Sequence, residues 1–329
     1  MIRNTWISLD EPSDWNSALE GIPHAFGHTW ESCHAMSLST GYDTYLYVFE
    51  TDGNRIVCPI AERSFRGHID ILTPYGFSGF VGKVSHPDFL QYWKQEAAAR
   101  NYVCGYIGLN PILYDLNCYK PNEAYVYNCL YAIDLRLELD ELFARLSTNR
   151  KRQLRAAGNN CKIIFERTRL LDFLLKHYAD FFKRKGASTV YQFTPETIIE
   201  LANMNNVILF GAEGKTGLEE VIMLAFTPYI GEYLLGISSN DARRHSVTLL
   251  WNAVKLLKTQ GVEWFNLGGG VRPGDGVAQF KERFGGDIFP LKSLKQIYSK
   301  NLFGQLCKEV NADPNMLSGY FPPYHANTV

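Results

Sequence analysis

The sequence predicts an α/β protein of two tandem domains, each a mixed sheet flanked by helices. Its 329 residues suit about two domains. A composition of 46% hydrophobic and 20% charged residues is enough to bury a sizeable core. The third observation is that one order of strands and helix occurs in both halves of the chain.

The first half shows this order between residues 43 and 111, where alternation of apolar and polar residues and turn residues predict β-turn-β-β-α-β. The segments are TYLYVFE, a turn at Asp52-Gly53, RIVCPIAERSF, a strand near Ile69 to Leu72, a loop PYGFSGF, a helix over 89–99 and a short strand in YVCGYIGLNP. Trp93 lies in the helix.

The second half repeats the order with little residue identity. Its segments are NVILFGAE, a turn at Gly214, EEVIMLAFTPY, EYLLGISS, a helix over 243–260 and the strand VEWFNLGG. Trp251 lies in the helix that matches the one with Trp93. The repeat is therefore one of element order, weaker than the fixed period of a solenoid.

A single amphipathic helix, LDELFARLSTNRKRQLRAAG, is predicted between the halves. Gly158 would end it, and CKIIFE would then open the second domain as a strand. The boundary is expected near residues 137 to 147, which gives domains of 1–140 and 141–329.

Charge and residue spacing exclude several classes of protein. A net charge of −1 gives no overall attraction to nucleic acid or to anionic membranes. The start MIRNTWISLDEPSDW lacks the apolar stretch of a signal peptide, and no apolar run reaches the length of a membrane span, so a cytoplasmic protein is expected. Seven scattered cysteines without a C-x-x-C pair, and histidines without ligand spacing, predict no metal site.

The segment from 262 to 287 is the richest in chemical signals. An apolar strand ends in Gly268, Gly269 and Gly270, and a Pro/Gly loop leads to a short helix that Asp275 can cap. Phe280 and Lys281 follow on that helix. One interpretation is a structural turn with a solvated surface lysine. The other is a site where backbone and lysine approach a ligand.

These residues carry a family resemblance. TLLWNAVKLLKTQGVEWFNLGGG and QFKERFGG resemble the C-terminal part of FemABX and related acetyltransferase-like proteins of the GNAT superfamily. The resemblance covers 148–286 well and the first half more loosely, through Trp30, Asp52-Gly53 and PYGFSGF. It implies two GNAT-like domains, with Phe280 and Lys281 matching the Phe-Lys pair whose lysine lies at the reacting centre.

Two departures from the family pattern bear on the substrate. The run after Trp30 is ESCHAMSLS, without the lysine that precursor-binding FemABX enzymes carry there. The helix that follows EYLLGISS opens with NDARRHSVTLLW, without the glycine-rich turn with which CoA-binding GNAT enzymes hold pyrophosphate.

Candidate contacts to a phosphorylated ligand lie in two basic segments. Arg150 and Arg152 suit phosphate because a guanidinium can bind it with two hydrogen bonds. Arg243 and Arg244 would add charge at a helix start. Tyr75, in the loop PYGFSGF, is a further contact candidate. For each, a solvated surface or structural role is the alternative.

The resemblance implies direct transfer of an acyl group to an amine, with Lys281 stabilising the oxyanion or leaving group and backbone donors of EYLLGISS polarising the carbonyl. The general base stays open between Asp275, Glu282 and water. The favoured activity is N-acyl transfer from acyl-CoA to an amino sugar or small peptide in cell-envelope or polysaccharide biosynthesis. Aminoacyl transfer from tRNA is second, and a non-catalytic binding protein is third. No metal and no DNA partner are expected.

Overall fold

The computed structural model describes residues 2–51, 53–82, 88–113, 123–157, 161–186, 191–214, 217–239, 245–317 and 319–326. Contacts between residues divide the chain into two compact units. Unit 1 comprises 1–127 and 291–329, and unit 2 comprises 128–290. The domain division at 140 and 141 stays a prediction. The predicted turn residue Asp52 and helix end Gly158 lie outside the described residues.

The strands and helices are numbered in chain order. The strands are β1 (Arg3–Ser8), β2 (Thr44–Thr51), β3 (Asn54–Phe65), β4 (His68–Leu72), β5 (Val81–Gly82), β6 (Cys104–Gly108), β7 (Ala124–Asp134), β8 (Lys162–Ile164), β9 (Val207–Gly214), β10 (Gly217–Phe226), β11 (Ile230–Ser238), β12 (Trp264–Gly269) and β13 (Asp287–Ile297). The helices are α1 (Pro12–Leu19), α2 (Trp30–Thr40), α3 (Phe89–Ala99), α4 (Leu139–Arg145), α5 (Thr148–Ala157), α6 (Arg167–Lys185), α7 (Pro195–Asn203), α8 (Ser246–Thr259), α9 (Gly276–Glu282) and α10 (Lys300–Glu309).

Both units have a mixed sheet with the same strand pattern. The order in unit 1 is β1-β2-β3-β4-β6-β13, with β5 paired to β3 at one side. The order in unit 2 is β8-β9-β10-β11-β12-β7. One pair in each sheet is parallel, β4 with β6 and β11 with β12, and a helix joins its strands. The predicted mixed sheets, flanking helices and repeated element order are confirmed.

The sixth strand of each sheet comes from the other half of the sequence. β7 follows β6 in the chain but pairs with β12, and β13 follows β12 but pairs with β6. The sequence pattern does not show this exchange, because strand alternation reports burial on one face and not the identity of the paired strand.

One part of the core of unit 2 lies between its sheet and α8. Leu250, Val254 and Leu257 of α8 are buried with Phe265 of β12 in one apolar cluster. Gly231 of β11 allows this close approach, because a Cβ there would lie 2.6 Å from the Leu257 side chain. Packing of this kind fixes the helix that connects the parallel strands.

The single junction helix predicted from the sequence is wrong, since α4 and α5 are separate. Leu146 is extended, with ψ of 142°, and interrupts the helical backbone. The Ser147 N–H donates to the Arg283 carbonyl at 3.0 Å, and the Ser147 hydroxyl accepts from the Arg150 N–H at 3.4 Å. The break thus ties the start of α5 to the turn that follows α9. Gly285 completes this contact, because its φ is +72° and a Cβ there would lie 2.2 Å from the Arg145 carbonyl oxygen.

The next glycine in this turn, Gly286, gives a test of the packing. A Cβ at Gly286 would lie 2.2 Å from the Ala132 carbonyl oxygen of β7, so Gly286→Ala should lower the free energy of unfolding of unit 2 by about 1–3 kcal/mol. Gly276→Ala is the matched control, because nothing lies within 4 Å of a Cβ there and alanine suits a helix. Denaturant unfolding measures both, and equal stability of the two variants would contradict the packing described.

Candidate active site

The parallel strands β11 and β12 pair over only three residues and then separate. The last pair is Glu232 with Asn266. Immediately beyond it, β11 carries one extra residue, Leu234, against β10, and β12 carries one extra residue, Leu267, against β7. Bulges bend the strand that contains them. The two strands therefore diverge, and the backbone groups on their facing edges are left for a ligand.

The loop after β12 is organised by Asp275. One carboxylate oxygen accepts from the Val271 and Arg272 N–H groups, each at 2.9 Å, and the other accepts from the Ala278 N–H at 2.8 Å. The predicted N-cap of α9 is confirmed. The Ala278 hydrogen bond is the largest cause that lowers the pKa of Asp275. The carboxylate is thus committed to the loop, which disfavours Asp275 as the general base.

Two of the three predicted glycines are required by this geometry. A Cβ at Gly270 would lie 2.5 Å from an Asp275 carboxylate oxygen. Gly268 has φ of +75°, and a Cβ there would lie 3.0 Å from the Lys281 Nζ. The loop is also tied to β7, because the Asn128 side-chain amide donates to the Gly270 carbonyl at 2.8 Å.

Lys281 is buried, with 9% of the residue exposed, so the solvated-lysine interpretation is wrong. Its Nζ donates to the Gly269 carbonyl at 2.7 Å, at the end of β12. Burial lowers the pKa of Lys281 to about 8, against the opposing attraction of Asp275. An ammonium with little water around it acts strongly on nearby charge, because the local dielectric constant is low.

Arg150 supports the helix that carries Lys281. Its guanidinium lies 4.3 Å from the Phe280 ring centre and 5.3 Å from the Phe284 ring centre, and it donates to the Phe280 carbonyl at 3.2 Å. Burial, and then the charge of Arg283, lower the pKa of Arg150. Arg150 is therefore positioned to hold α9, while Arg152 is exposed and donates to the Asn149 side chain at 3.1 Å.

Two polar residues at the base of the opening were missed in the sequence. Glu232 is 4% exposed, and burial raises its pKa to about 8. Its Oε1 has no hydrogen-bond partner among the described residues. Asn266 is 1% exposed; its Oδ1 accepts from the Gly268 N–H at 2.7 Å, and its Nδ2 has no such partner among the residues described. The available signal was a glutamate inside the apolar strand EYLLGISS.

Glu232 and Asn266 are register partners, so their side chains project from the same face of the sheet. The Asn266 Nδ2 donor and the Glu232 Oε1 acceptor thus lie on neighbouring strands in a buried position, each without a hydrogen-bond partner among the described residues. Buried polar groups are almost always hydrogen-bonded in native proteins, so a pair of this kind indicates a place for a polar ligand atom or water.

Two carboxylates of β10 lie against the start of α8. His245 Nε2 lies 3.0 Å from the Glu219 carboxylate, and the Ser246 hydroxyl donates to Glu220 at 2.5 Å. Negative charge beside the first turn of a helix competes with a phosphate for that position. Arg243 and Arg244 lie outside the described residues.

The remaining site prediction is Tyr75. It lies half-buried in the loop between β4 and β5 of unit 1, and its role stays a prediction.

Comparisons with known proteins agree with this fold. No family model matches the chain, and no curated protein matches its sequence. The solved structure of FemX matches with a TM-score of 0.72 and 12% identity, over 92% of this chain and 99% of FemX. L-PGS from Bacillus licheniformis matches with a TM-score of 0.58 and 12% identity, over 88% of this chain and 92% of that one. The C-terminal domain of a putative lysylphosphatidylglycerol synthetase from Agrobacterium fabrum matches with a TM-score of 0.53 and 17% identity, over 80% and 88%.

These matches establish the fold. The chain shares the fold of FemX, so the predicted fold class and the resemblance to FemABX-like proteins are confirmed at the level of fold. None of the helices in the described part of the chain combines the length and the apolar composition of a membrane span. Over the same residues, no group of three or more His, Cys, Asp or Glu side chains is arranged to hold a metal ion.

The raised pKa of Glu232 predicts a pH-dependent stability. The ordinary glutamate value is 4.5 and the folded value is about 8, so between these values the folded protein keeps a proton that the unfolded chain has lost. The free energy of unfolding should therefore fall by about 1.4 kcal/mol per pH unit across this window. Glu232→Gln removes the titration, so its stability relative to wild type should rise from pH 4.5 to 8 and level off above.

Urea unfolding across pH 4.5 to 9 measures this difference. Glu263→Gln, at an exposed position of the same unit, is the control for replacing a glutamate by glutamine. A Glu232→Gln difference that stays constant with pH would show that the carboxyl is not held protonated.

Proposed function

We propose that this protein is an N-acyltransferase, which transfers an acyl group from a thioester or ester to an amine in the opening between β11 and β12. The observation that carries the proposal is the placement of Lys281. Its buried ammonium donates a hydrogen bond to the Gly269 carbonyl where β12 ends. Holding a desolvated charge in place is unfavourable for folding, which suits a group whose use lies in the transition state.

The proposed reaction is direct attack. The amine nitrogen forms a bond to the acyl carbon, the carbonyl becomes an oxyanion, and the carbon–sulfur or carbon–oxygen bond to the leaving group then breaks. The Lys281 ammonium and backbone N–H groups of β11 beyond its bulge stabilise the oxyanion. The Glu232 carboxylate takes the proton released by the amine, and its pKa of about 8 suits that exchange. The Asn266 side chain orients the polar group of the substrate that lies beside Glu232.

The donor proposed first is acyl-CoA, with an amino sugar or small peptide of cell-envelope or polysaccharide biosynthesis as acceptor. Aminoacyl-tRNA is the second candidate. One observation favours it: the Glu219 and Glu220 carboxylates of β10 contact His245 and Ser246 at the start of α8, where a CoA pyrophosphate would otherwise gain most from the helix N-terminus. The resemblance to FemABX proteins points the same way.

A comparison of Arg152 and Arg150 variants distinguishes phosphate binding from support of α9. Arg152→Gln should weaken binding of whichever phosphorylated donor is used, with a loss that shrinks as salt rises, and should leave the melting temperature unchanged. Arg150→Gln should instead lower the melting temperature, because Phe280 and Phe284 lose a stacked partner. Titration with acyl-CoA and with aminoacyl-tRNA at several salt concentrations measures donor binding by each variant, and thermal unfolding measures its melting temperature. Equal binding by wild type and Arg152→Gln with either donor would remove Arg152 from the site.

Lys281→Met tests the central claim. The methionine keeps the apolar stem and removes the charge, so the fold should persist while transfer falls by roughly 10²–10³-fold, mostly in kcat. Lys255→Met on the exposed side of α8 is the control and should retain full activity. Near-full transfer by a folded Lys281→Met protein would refute the assignment. Lost transfer with unchanged ligand binding would exclude the purely binding protein.

The pH profile assigns the two titrating groups. Lys281 must be protonated, so the rate should fall as pH rises through about 8. Glu232 must be ionised, so the rate should rise as the pH approaches about 8 from below. The two dependences together give a narrow maximum of the rate near pH 8. Glu232→Gln should lower kcat and remove the acidic limb, and Lys281→Met should remove the alkaline limb. An acidic limb that persists in Glu232→Gln would assign the base to another group.

A further inference from the structure

Three side chains outside the site around Lys281 form a hydrogen-bonded chain. The Cys161 Sγ lies 3.4 Å from the Nδ1 of His245, and the Nε2 of His245 lies 3.0 Å from a carboxylate oxygen of Glu219. The sequence did not reveal it, because Cys161 and His245 are 84 positions apart. The order of groups is nucleophile, base and a carboxylate that orients the base.

The fold keeps this chain apart from Lys281. Cys161 precedes β8 and Glu219 lies on β10, while His245 precedes α8. Glu219 on β10 is two strands from β12, about 10 Å across the sheet, and β8, which follows Cys161, is four strands away, about 19 Å. The Cys161 residue is half-buried, and its sulfur has a fixed partner in His245.

We propose that Cys161, His245 and Glu219 form a second nucleophilic site, at which the thiol accepts an acyl group from a small acyl thioester. The proton on Nε2 of His245 faces Glu219 in this arrangement, which leaves Nδ1 as the acceptor for the thiol proton. Glu219 then balances the imidazolium that forms, as the orienting carboxylate of a nucleophile–histidine pair does.

The transfer step is a thioester exchange. The Cys161 sulfur bonds to the acyl carbon, its proton passes to His245 Nδ1, the donor carbon–sulfur bond breaks, and the proton leaves with the departing thiolate. No oxidant or reductant is needed. Burial, and then Glu220 and Glu219, raise the pKa of Cys161, so the resting group is the neutral thiol and the attack depends on His245 as base.

The test uses the full chain and S-acetyl-N-acetylcysteamine, a thioester without phosphate groups. Intact mass and peptide mapping should find one acetyl group on Cys161, removable by hydroxylamine, in wild type and equally in Lys281→Met. Cys161→Ser should abolish the label. His245→Gln should slow labelling by at least about tenfold and Glu219→Gln should slow it less, because each weakens the base. Cys129→Ser is the matched control, since Cys129 is also half-buried, and should leave labelling unchanged.

If a variant fails to fold, the labelling of the wild-type protein alone tests the proposal. Equal labelling of Cys161 and Cys129 would overturn the proposal, as would absence of label from Cys161. A His245→Gln protein with a wild-type melting temperature and wild-type labelling rate would also overturn it. Label on Lys281 in place of Cys161 would locate acylation in the opening between β11 and β12, and so contradict a second site. Because Lys281→Met leaves the expected label intact, failure here is distinguishable from failure of the proposed N-acyl transfer.

Discussion

The early separation of β11 and β12 is the constraint on which the candidate active site depends. Two strands that stayed paired would use their facing N–H and C=O groups on each other and leave no backbone donor for a substrate. The extra residues Leu234 and Leu267 end the pairing just after Glu232 and Asn266. The bulge in β12 also turns Gly268 and Gly269 towards Lys281. The bulge in β12 therefore has two effects: it helps to open the cleft, and it places the Gly269 carbonyl where the Lys281 ammonium can bind it.

Burial disfavours the charged forms of the two ionisable groups of the candidate site, Lys281 and Glu232. It lowers the pKa of Lys281 and raises that of Glu232, each to about 8. Burial makes the charged form of each group costly for folding, and ionisable groups perturbed in this way occur often at functional sites. Both are poised to exchange a proton at mildly alkaline pH, where an amine acceptor also begins to lose its own. The same low dielectric that destabilises the resting charges would strengthen their action on a developing oxyanion.

Features set by neighbours in the chain were predictable from the sequence, and those set by distant contacts were not. The α3 bounds and the Asp275 cap follow from local periodicity and from hydrogen bonds spanning three residues. The break between α4 and α5 is held by Arg283, more than 130 residues away, and the apolar pattern of LDELFARLS gives no sign of it. Glu232 became a candidate only when its strand register and missing hydrogen-bond partner were known.

The exchange of the sixth strands has a consequence for biosynthesis. As the chain leaves the ribosome, every strand of the unit 2 sheet, including β7, is available once residue 269 has emerged. The unit 1 sheet lacks β13 until residue 297 has emerged, although its other strands are made first. The strand β6 thus presents an unpaired edge for the time needed to synthesise nearly 190 further residues, about 10–40 s at ribosomal rates. Vectorial synthesis therefore completes the half that carries Lys281 before the half that begins the chain, and a chaperone that shields β6 would act within that interval.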